Sequence, residues 1–532
     1  LTILILVAEP AGGVRLAELV AAISLATDLG TGQPMEHALR TCQLSMRVAG
    51  ELGLPTAERA AVYYVALLRF LGCTADAPET ADYAGGDNIA LLAAMAPEYM
   101  GSTGAALRAL ARAVGRGRPL PRRLRLLARA VRDSRSVVAH CEVGARLATR
   151  LGLSPDVVHA LAHAYERWDG RGLPEGLAAD AVPVAVRVVV VARDAVLWHR
   201  RAGPDNGPDR GPDRGPELAR RVLAARRGRA YDPAVVDALR RVGIPPDDGG
   251  QIWEEVLAAE PDPTRRLDGE GLDAALAAVG DFADLRSRWT RGRSGRVAET
   301  AAAAGKHCRL PAPDLDALRR GALVADLGAV GVPTGIWDRA APLGVRDLER
   351  VRLHPYLSER VLSRCTGLRA VAALAGAHHE RLDGSGYHRG SAAPHLSTAA
   401  RLLAVADVGT ALREDRAHRP ARPAGPARDA LWAEARAGRL DGDAVHAVLA
   451  AAGEAPGGRR AARQPAGLTE REIEVLRLIA RGHSSREVAA RLRISPKTAG
   501  HHVAHIYTKI GVSTRPAAAL FAMEHGLLGN DA

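Results

Sequence analysis

The sequence predicts an all-α protein built from a duplicated helical domain and a third, smaller helical domain at the C-terminus. Three observations lead there. Apolar residues recur at three- and four-residue spacing through most of the chain, while alternating strand patterns are scarce. An internal repeat relates the first half of the chain to the second. The last segment carries nearly complete helix punctuation, with cap residues where helices should start and glycine where they should stop.

The chain has 532 residues, 47% apolar and 25% charged, which is ordinary for a globular protein. At roughly 150 residues per domain, three or four domains are expected. The five cysteines, Cys42, Cys73, Cys141, Cys308 and Cys365, are scattered with no C-x-x-C pair. That spacing excludes a disulfide scaffold and a thiolate zinc site, and it fits a reducing compartment. The apolar opening Leu1–Ala8 is far below the ~20 residues a bilayer span needs. It also lacks the basic flank and small-residue cleavage site of a signal peptide. A cytoplasmic protein without membrane association is expected, from a chain that opens on leucine and so reads as truncated or mis-started. The net charge of +12 suggests nucleic acid, but only three of the 72 basic residues are lysines. Arginine excess beside abundant alanine and glycine reads as codon bias, so the global charge is discounted. Two of those lysines, Lys497 and Lys509, lie in the last 40 residues, and that clustering is more informative. Aromatic residues make up only 3%, which argues against a surface that stacks bases or sugars.

The repeat is defined by constant offsets. Asp28-Leu29, Leu54-Pro55 and Leu71-Gly72 recur 256 residues later as Asp284-Leu285, Leu310-Pro311 and Leu327-Gly328. His140 and Glu166-Arg-Trp-Asp169-Gly recur 214 residues later as His354 and Glu380-Arg-Leu-Asp383-Gly. The change of offset marks an insertion in the first copy at about 73–120. The copies are placed at 14–243 and 268–452, followed by a linker at 453–467 and a C-terminal domain at 468–530. Val184–Val191 is β-branched, but its counterpart Ala399–Val405 is not, so both are assigned to buried helix. Arg201–Pro216, Arg416–Pro426 and Gly453–Gly467 are rich in Gly, Pro and Arg and are assigned to loops or linkers.

In the C-terminal domain, Thr469 with Glu472 and Ser484 with Glu487 form capping boxes, in which hydroxyl and carboxylate satisfy each other's backbone N–H. Gly482 is placed to stop the first helix. Ser495 caps a third helix with Pro496 at its first position, where the missing N–H costs nothing. That helix would bury Ala499, Val503, Ile506 and Ile510. It would expose Lys497, Thr498, His501, His502, His505 and Lys509, an acid-free face suited to the major groove. A three-helix protein-binding domain is the competing assignment. The stretch from Leu468 to Arg515 resembles the LuxR-type helix-turn-helix over its whole length, with Ala499 where the family usually has valine. The resemblance implies a four-helix domain that binds double-stranded DNA, usually as a homodimer on paired half-sites.

In the second copy, His378-His379-Glu380 stands near Asp383 and is joined by Asp326, His354 and Asp407 from other expected helices. Imidazoles and carboxylates together suit divalent transition metals. Adjacent histidines on a helix diverge by about 100°, so the pair could serve two metals that activate water and clamp a phosphodiester. His378–Gly390 resembles the HHExxDGxGYP signature of HD-GYP phosphohydrolases, which typically cleave cyclic di-GMP. Val351–Leu362 and Leu402–Pro420 resemble the segments that follow the HD and GYP motifs. The resemblance implies that Asp326 bridges two metals, with His354, His378, His379 and Asp407 completing their shells. It departs at Ala325 (the histidine of the HD pair), Ala329 (a lysine), Arg293 (an upstream histidine) and His388 (the proline of GYP). Loss of a ligand histidine, with Arg293 adding positive charge, leads to the expectation of a vestigial site. Such a site would bind iron or manganese weakly and hydrolyse little or nothing, and no catalytic residue is assigned. The first copy is more eroded. Arg69-Phe70 and Ala164-Tyr165 stand at the motif positions, and only His37, His140 and Asp194 remain.

Two functions are compatible with these expectations. One is a transcription regulator whose degenerate HD-GYP-like domains sense a nucleotide, another small molecule or a partner and govern DNA binding. The alternative is a metal-dependent phosphodiesterase of the cyclic di-GMP type with an attached DNA-binding domain.

Overall fold

The computed structural model describes residues 13–97, 107–108, 110–111, 114–115, 119–132, 136–201, 214–245, 251–261, 263–454 and 465–528. The opening Leu1–Ala8, residues 202–213 and linker residues 455–464 lie outside them. The described chain is almost entirely α-helical. Among the described residues, the only strands are Val14–Arg15 and Arg266–Leu267, which pair in a two-stranded sheet. At two residues each they are too short to show a period in sequence. No helix among the described residues is long and apolar enough to cross a membrane.

The chain divides into two compact units, one mainly Arg15–Cys73 and Glu79–Leu267, the other mainly Asp268–Ala532. In the first, the valine run forms the helix Val184–Arg201 and buries Val186, Val188, Val189 and Val191. β-Branching costs a helix at most about 0.7 kcal/mol per residue. Full burial of a valine side chain returns about 1.5 kcal/mol or more, so packing decides the conformation. The counterpart Thr398–Leu412 is also a buried helix. Two proline-rich stretches assigned to loops are helical at their ends. Gly215-Pro216 lies in the first turn of Arg214–Arg226, and Gly425-Pro426 in that of Ala424–Arg436. A first-turn proline gives up an N–H that has no helical partner anyway.

Each copy repeats the same supports. Asp28 and Asp284 are buried and accept the backbone N–H of Ala38 and Ser294, fixing the start of the next helix. Glu166 accepts from the N–H groups of Glu175 and Gly176 at 2.7 and 3.0 Å. Glu380 accepts from Arg389 and Ser391, both at 2.8 Å. Gly72 and Gly328 lie against the backbone of His140 and His354, where a Cβ would overlap the carbonyl. In the second unit, Ser358 adds a tie by donating to the Ala325 carbonyl at 2.6 Å and accepting from the Gly328 N–H at 2.8 Å.

The C-terminal part of the second unit has four helices, Glu470–Ala480, Ser485–Leu492, Pro496–Ile510 and Arg515–Glu524. Both capping boxes form, and the Ser495 side chain accepts the Thr498 N–H at 3.0 Å. Gly482 takes φ +92° at the end of the first helix, a left-handed turn that favours glycine. Leu476, Ile479, Val488, Ala499, Ile506 and Phe521 share one core. Glu472 also receives the Lys509 ammonium at 2.7 Å, and Lys509 donates to the Gly467 carbonyl at 3.1 Å. Burial opposes the Glu472 carboxylate, but Lys509 and the Thr469 N–H and hydroxyl outweigh it and push its pKa down to about 2.

Two outcomes are expected. Gly328→Ala should lower thermal stability by about 1–3 kcal/mol, because the methyl group meets backbone that cannot move aside; unchanged melting would refute the close approach. Glu472 is a carboxylate whose pKa is depressed on folding, so its stabilisation is present above about 4.5 and is lost as pH falls towards about 2. Protection factors for hydrogen exchange in the four-helix region should therefore fall across that window, and Glu472→Gln should flatten the dependence.

Candidate metal centre and nucleic-acid interface

Three breaks between helices deliver the candidate ligands. Asp326 follows the helix Ala312–Val324, His354 opens His354–Leu362, and His378 and His379 follow Arg369–Ala377. One ligand atom from each of Asp326, His354, His378 and His379 lies within 4.8 Å of every other. His354 and His378 are each 1% exposed. Their Nδ1 atoms lie 2.6 Å from the carbonyls of Val351 and Ala375. A carbonyl only accepts, so each Nδ1 carries the proton and each Nε2 presents a lone pair. These two Nε2 atoms are 3.2 Å apart, and Asp326 Oδ1 is 3.2 Å from one and 3.6 Å from the other. Three acceptors facing one another in a buried space are stable only around a proton or a cation. The set fits a divalent transition metal held by neutral imidazoles and a carboxylate.

Burial raises the Asp326 carboxyl, but close contact with His354 and His378 and the nearby Arg286 charge hold it well below the usual range. Burial and the two neighbouring imidazoles push His379 well below its usual value, which leaves it neutral and able to bind metal. Burial lowers His354 despite Asp326, whereas at His378 the attraction of Asp326 outweighs burial and the pKa rises. Trp337 meets His354 edge-on with ring centres 5.6 Å apart, and Tyr387 covers His379 at 4.8 Å and 30°.

The expectation of a vestigial, inactive site is corrected here. Ala325 stands where the resemblance led to the expectation of a histidine, yet an Asp-His-His-His cluster able to hold a metal is present. His354 and His378 are each fixed at a helix end by a hydrogen bond to a backbone carbonyl that does not involve Ala325. The histidine pair also differs from the expected divergence. The helix ends at Ala377, and the His378 and His379 rings are 4.1 Å apart and contribute to one cluster. Asp407 stands outside that cluster, with Oδ1 2.5 Å from Arg293 Nη2 and Oδ2 3.8 Å from His379 Nδ1. Glu380 and Asp383 shape the loop, Asp383 accepting from the Ser385 N–H at 2.9 Å.

In sequence Arg293 is only a departure from a motif, but it is central in the structure. It is buried, and its Nη1 lies 2.8 Å from Glu414 and its Nε 3.6 Å from Asp326 Oδ2. Glu414 carries no recognisable signal in sequence. In the first copy, side chains fill the equivalent space. Arg69 donates to the Ala164 carbonyl and stacks on Tyr165, whose hydroxyl is 3.3 Å from His140 Nδ1. Asp194 is held by Arg193, Arg226 and Tyr231. His37 stays neutral because burial lowers its pKa to about 3.

On the helix Pro496–Ile510, Lys497, Thr498, His501, His505 and Lys509 are exposed and His502 is half-buried, while Ala499, Ile506 and Ile510 are buried. Lys509 is also engaged by Glu472 and Gly467.

Comparison with known proteins matches the chain to two families. The HD domain family matches residues 128–235 and 278–444, together more than half of the chain. The luxR family of bacterial regulatory proteins matches residues 466–522. The chain is 26% identical over 423 residues to 3'3'-cGAMP-specific phosphodiesterase 3 of Vibrio cholerae serotype O1, covering 77% of this chain and 88% of that one. It is 29% identical over 185 residues to 3'3'-cGAMP-specific phosphodiesterase 1 of the same organism, covering 35% and 43%. The C-terminal region is 44% identical over 61 residues to the response regulator protein VraR of Staphylococcus aureus, covering 12% and 29%. The crystal structure of a cyclic GMP-AMP-specific phosphodiesterase from V. cholerae shares the fold with a TM-score of 0.55 at 24% identity, covering 84% of this chain and 99% of that one. Helical core, ligand cluster and capped C-terminal helices thus identify the chain as a member of the HD domain family joined to a LuxR-type DNA-binding domain.

Proposed function

We propose that the protein is a metal-dependent phosphodiesterase that opens a cyclic dinucleotide and carries its own DNA-binding domain. The observation that supports this most directly is the convergence of Asp326, His354, His378 and His379 on one buried point. The two relatives named as 3'3'-cGAMP-specific phosphodiesterases favour a 3'3'-linked cyclic dinucleotide as the substrate class. A divalent ion such as iron or manganese, held by these four residues, supplies a Lewis acid for a phosphoryl oxygen and for water. The chain itself supplies the rest. Val351 and Ala375 orient the imidazoles, and Tyr387 and Trp337 shield them. Arg352 lies over Tyr387, its guanidinium carbon 6.0 Å from the ring centre, and so places positive charge beside the ring that covers His379.

A second reading, a regulator in which the HD domain governs DNA binding, has one specific support. The segment Arg288–Arg293 touches both regions. Gly482 packs on Arg288, Arg291 donates to the Ala480 carbonyl, and Gly292 lies near Met523 and Leu528. The next residue, Arg293, belongs to the metal centre. In this reading the working domains are 14–243, 268–452 and 468–530. Lys497, Thr498, His501, His502, His505 and Lys509 form the face presented to DNA by a homodimer.

The full-length protein loaded with manganese or iron should hydrolyse cyclic GMP-AMP or cyclic di-GMP. Chelation should stop turnover, and His378→Ala should reduce it at least ~100-fold, since removing even an outer-shell partner costs ten- to a hundredfold. A metal-loaded protein with no turnover of either would overturn the enzymatic reading. Lys497→Ala should weaken DNA binding across sequences and lower the slope of log K against log salt by about one. An unchanged slope in a titration by fluorescence anisotropy would remove this lysine from the interface.

A further inference from the structure

The Asp326 carboxylate faces two ways. Its Oδ1 looks at the Nε2 atoms of His354 and His378, at 3.2 and 3.6 Å, while its Oδ2 looks at Arg293 Nε, at 3.6 Å. The same guanidinium binds Asp407 Oδ1 at 2.5 Å and Glu414 at 2.8 Å. Glu414 is shared with Arg296 at 2.5 Å and Arg416 at 3.2 Å, so the Arg293 charge is left to balance Asp407 and Asp326. Arg293 is 5% exposed and its neighbours are carboxylates, so the guanidinium stays charged and in place. Two-metal hydrolytic sites hold their ions about 3.5–4 Å apart. Here the far side of Asp326 already has a cation, made of protein.

We propose that Arg293 is a built-in substitute for a second metal ion, so that the centre binds one divalent ion on Asp326, His354, His378 and His379. Arg293 then acts as a positioning residue. It binds Asp407, faces Asp326 Oδ2, and supplies a fixed positive charge behind the site. The inference rests on the reading of this cluster as a metal centre, but it concerns stoichiometry and not turnover.

The test is manganese alone, added to the full-length metal-depleted protein, with bound metal measured by elemental analysis after removal of excess and by electron paramagnetic resonance. The wild type should retain one manganese per chain, with the spectrum of an isolated ion. Asp407→Asn should leave that number at one, because Asp407 serves the guanidinium. Arg293→His, which removes the fixed charge and adds an imidazole, should raise the number towards two and introduce the signature of an exchange-coupled pair. Arg293→Lys should stay at one. Two manganese ions in the wild type would overturn this inference and leave the phosphodiesterase reading standing. None retained would overturn both. Loss of the ion in Asp407→Asn would make Asp407 a ligand and refute the assignment, even if Arg293→His failed to fold. A folded Arg293→His protein that kept a single ion would also refute it.

Discussion

Three lone pairs pointing at one another organise the second unit. Two buried imidazoles cannot both present Nε2 towards a carboxylate at 3.2–3.6 Å at low cost unless something positive sits among them. The fold enforces the arrangement through the Val351 and Ala375 carbonyls, which hold the opposite ring nitrogens as donors. It also does so through Ser358, which joins the segment bearing Asp326 to the helix that starts at His354. These supports orient His354 and His378 without any contribution from a side chain at Ala325.

The first copy shows which features belong to the fold and which to the chemistry. It keeps the aspartate that starts the second helix, the glutamate that gathers the loop, and the glycine that lets two backbones meet. It has lost the lone-pair cluster, and Arg69, Tyr165 and the ion pairs around Asp194 fill the space. Backbone supports are needed for the helices to pack at all, so they persist in both halves. Ligands are not, and among the described residues the first copy has no such cluster but side chains that satisfy one another. Arg293 in the second copy is an intermediate case, in which a cationic side chain sits beside a cluster that remains able to hold an ion.

The C-terminal helices are set by local chemistry to an unusual degree. Two capping boxes and the Ser495 cap fix where three helices begin. Glu472 has a further role that capping alone does not suggest, since it anchors Lys509. Lys497 and Lys509, equivalent as charges in sequence, therefore stand in different surroundings. The first is exposed near the start of the helix, and the second is shared with the domain's own acid.

By itself the sequence determined the helical class and the caps, and it named five candidate ligands, of which four lie together in the structure. All of these rest on local spacing or on motifs that survive in linear order. It misled on the consequence of Ala325, because a motif read as a string treats a missing letter as a missing site. Tertiary structure decided three matters. His378 and His379 converge because the helix stops before them, Asp407 turns to Arg293, and Glu414 joins them from beyond the motif. The last two depend on distances between segments far apart in the chain, and the balance among buried charges exists only once those segments have packed.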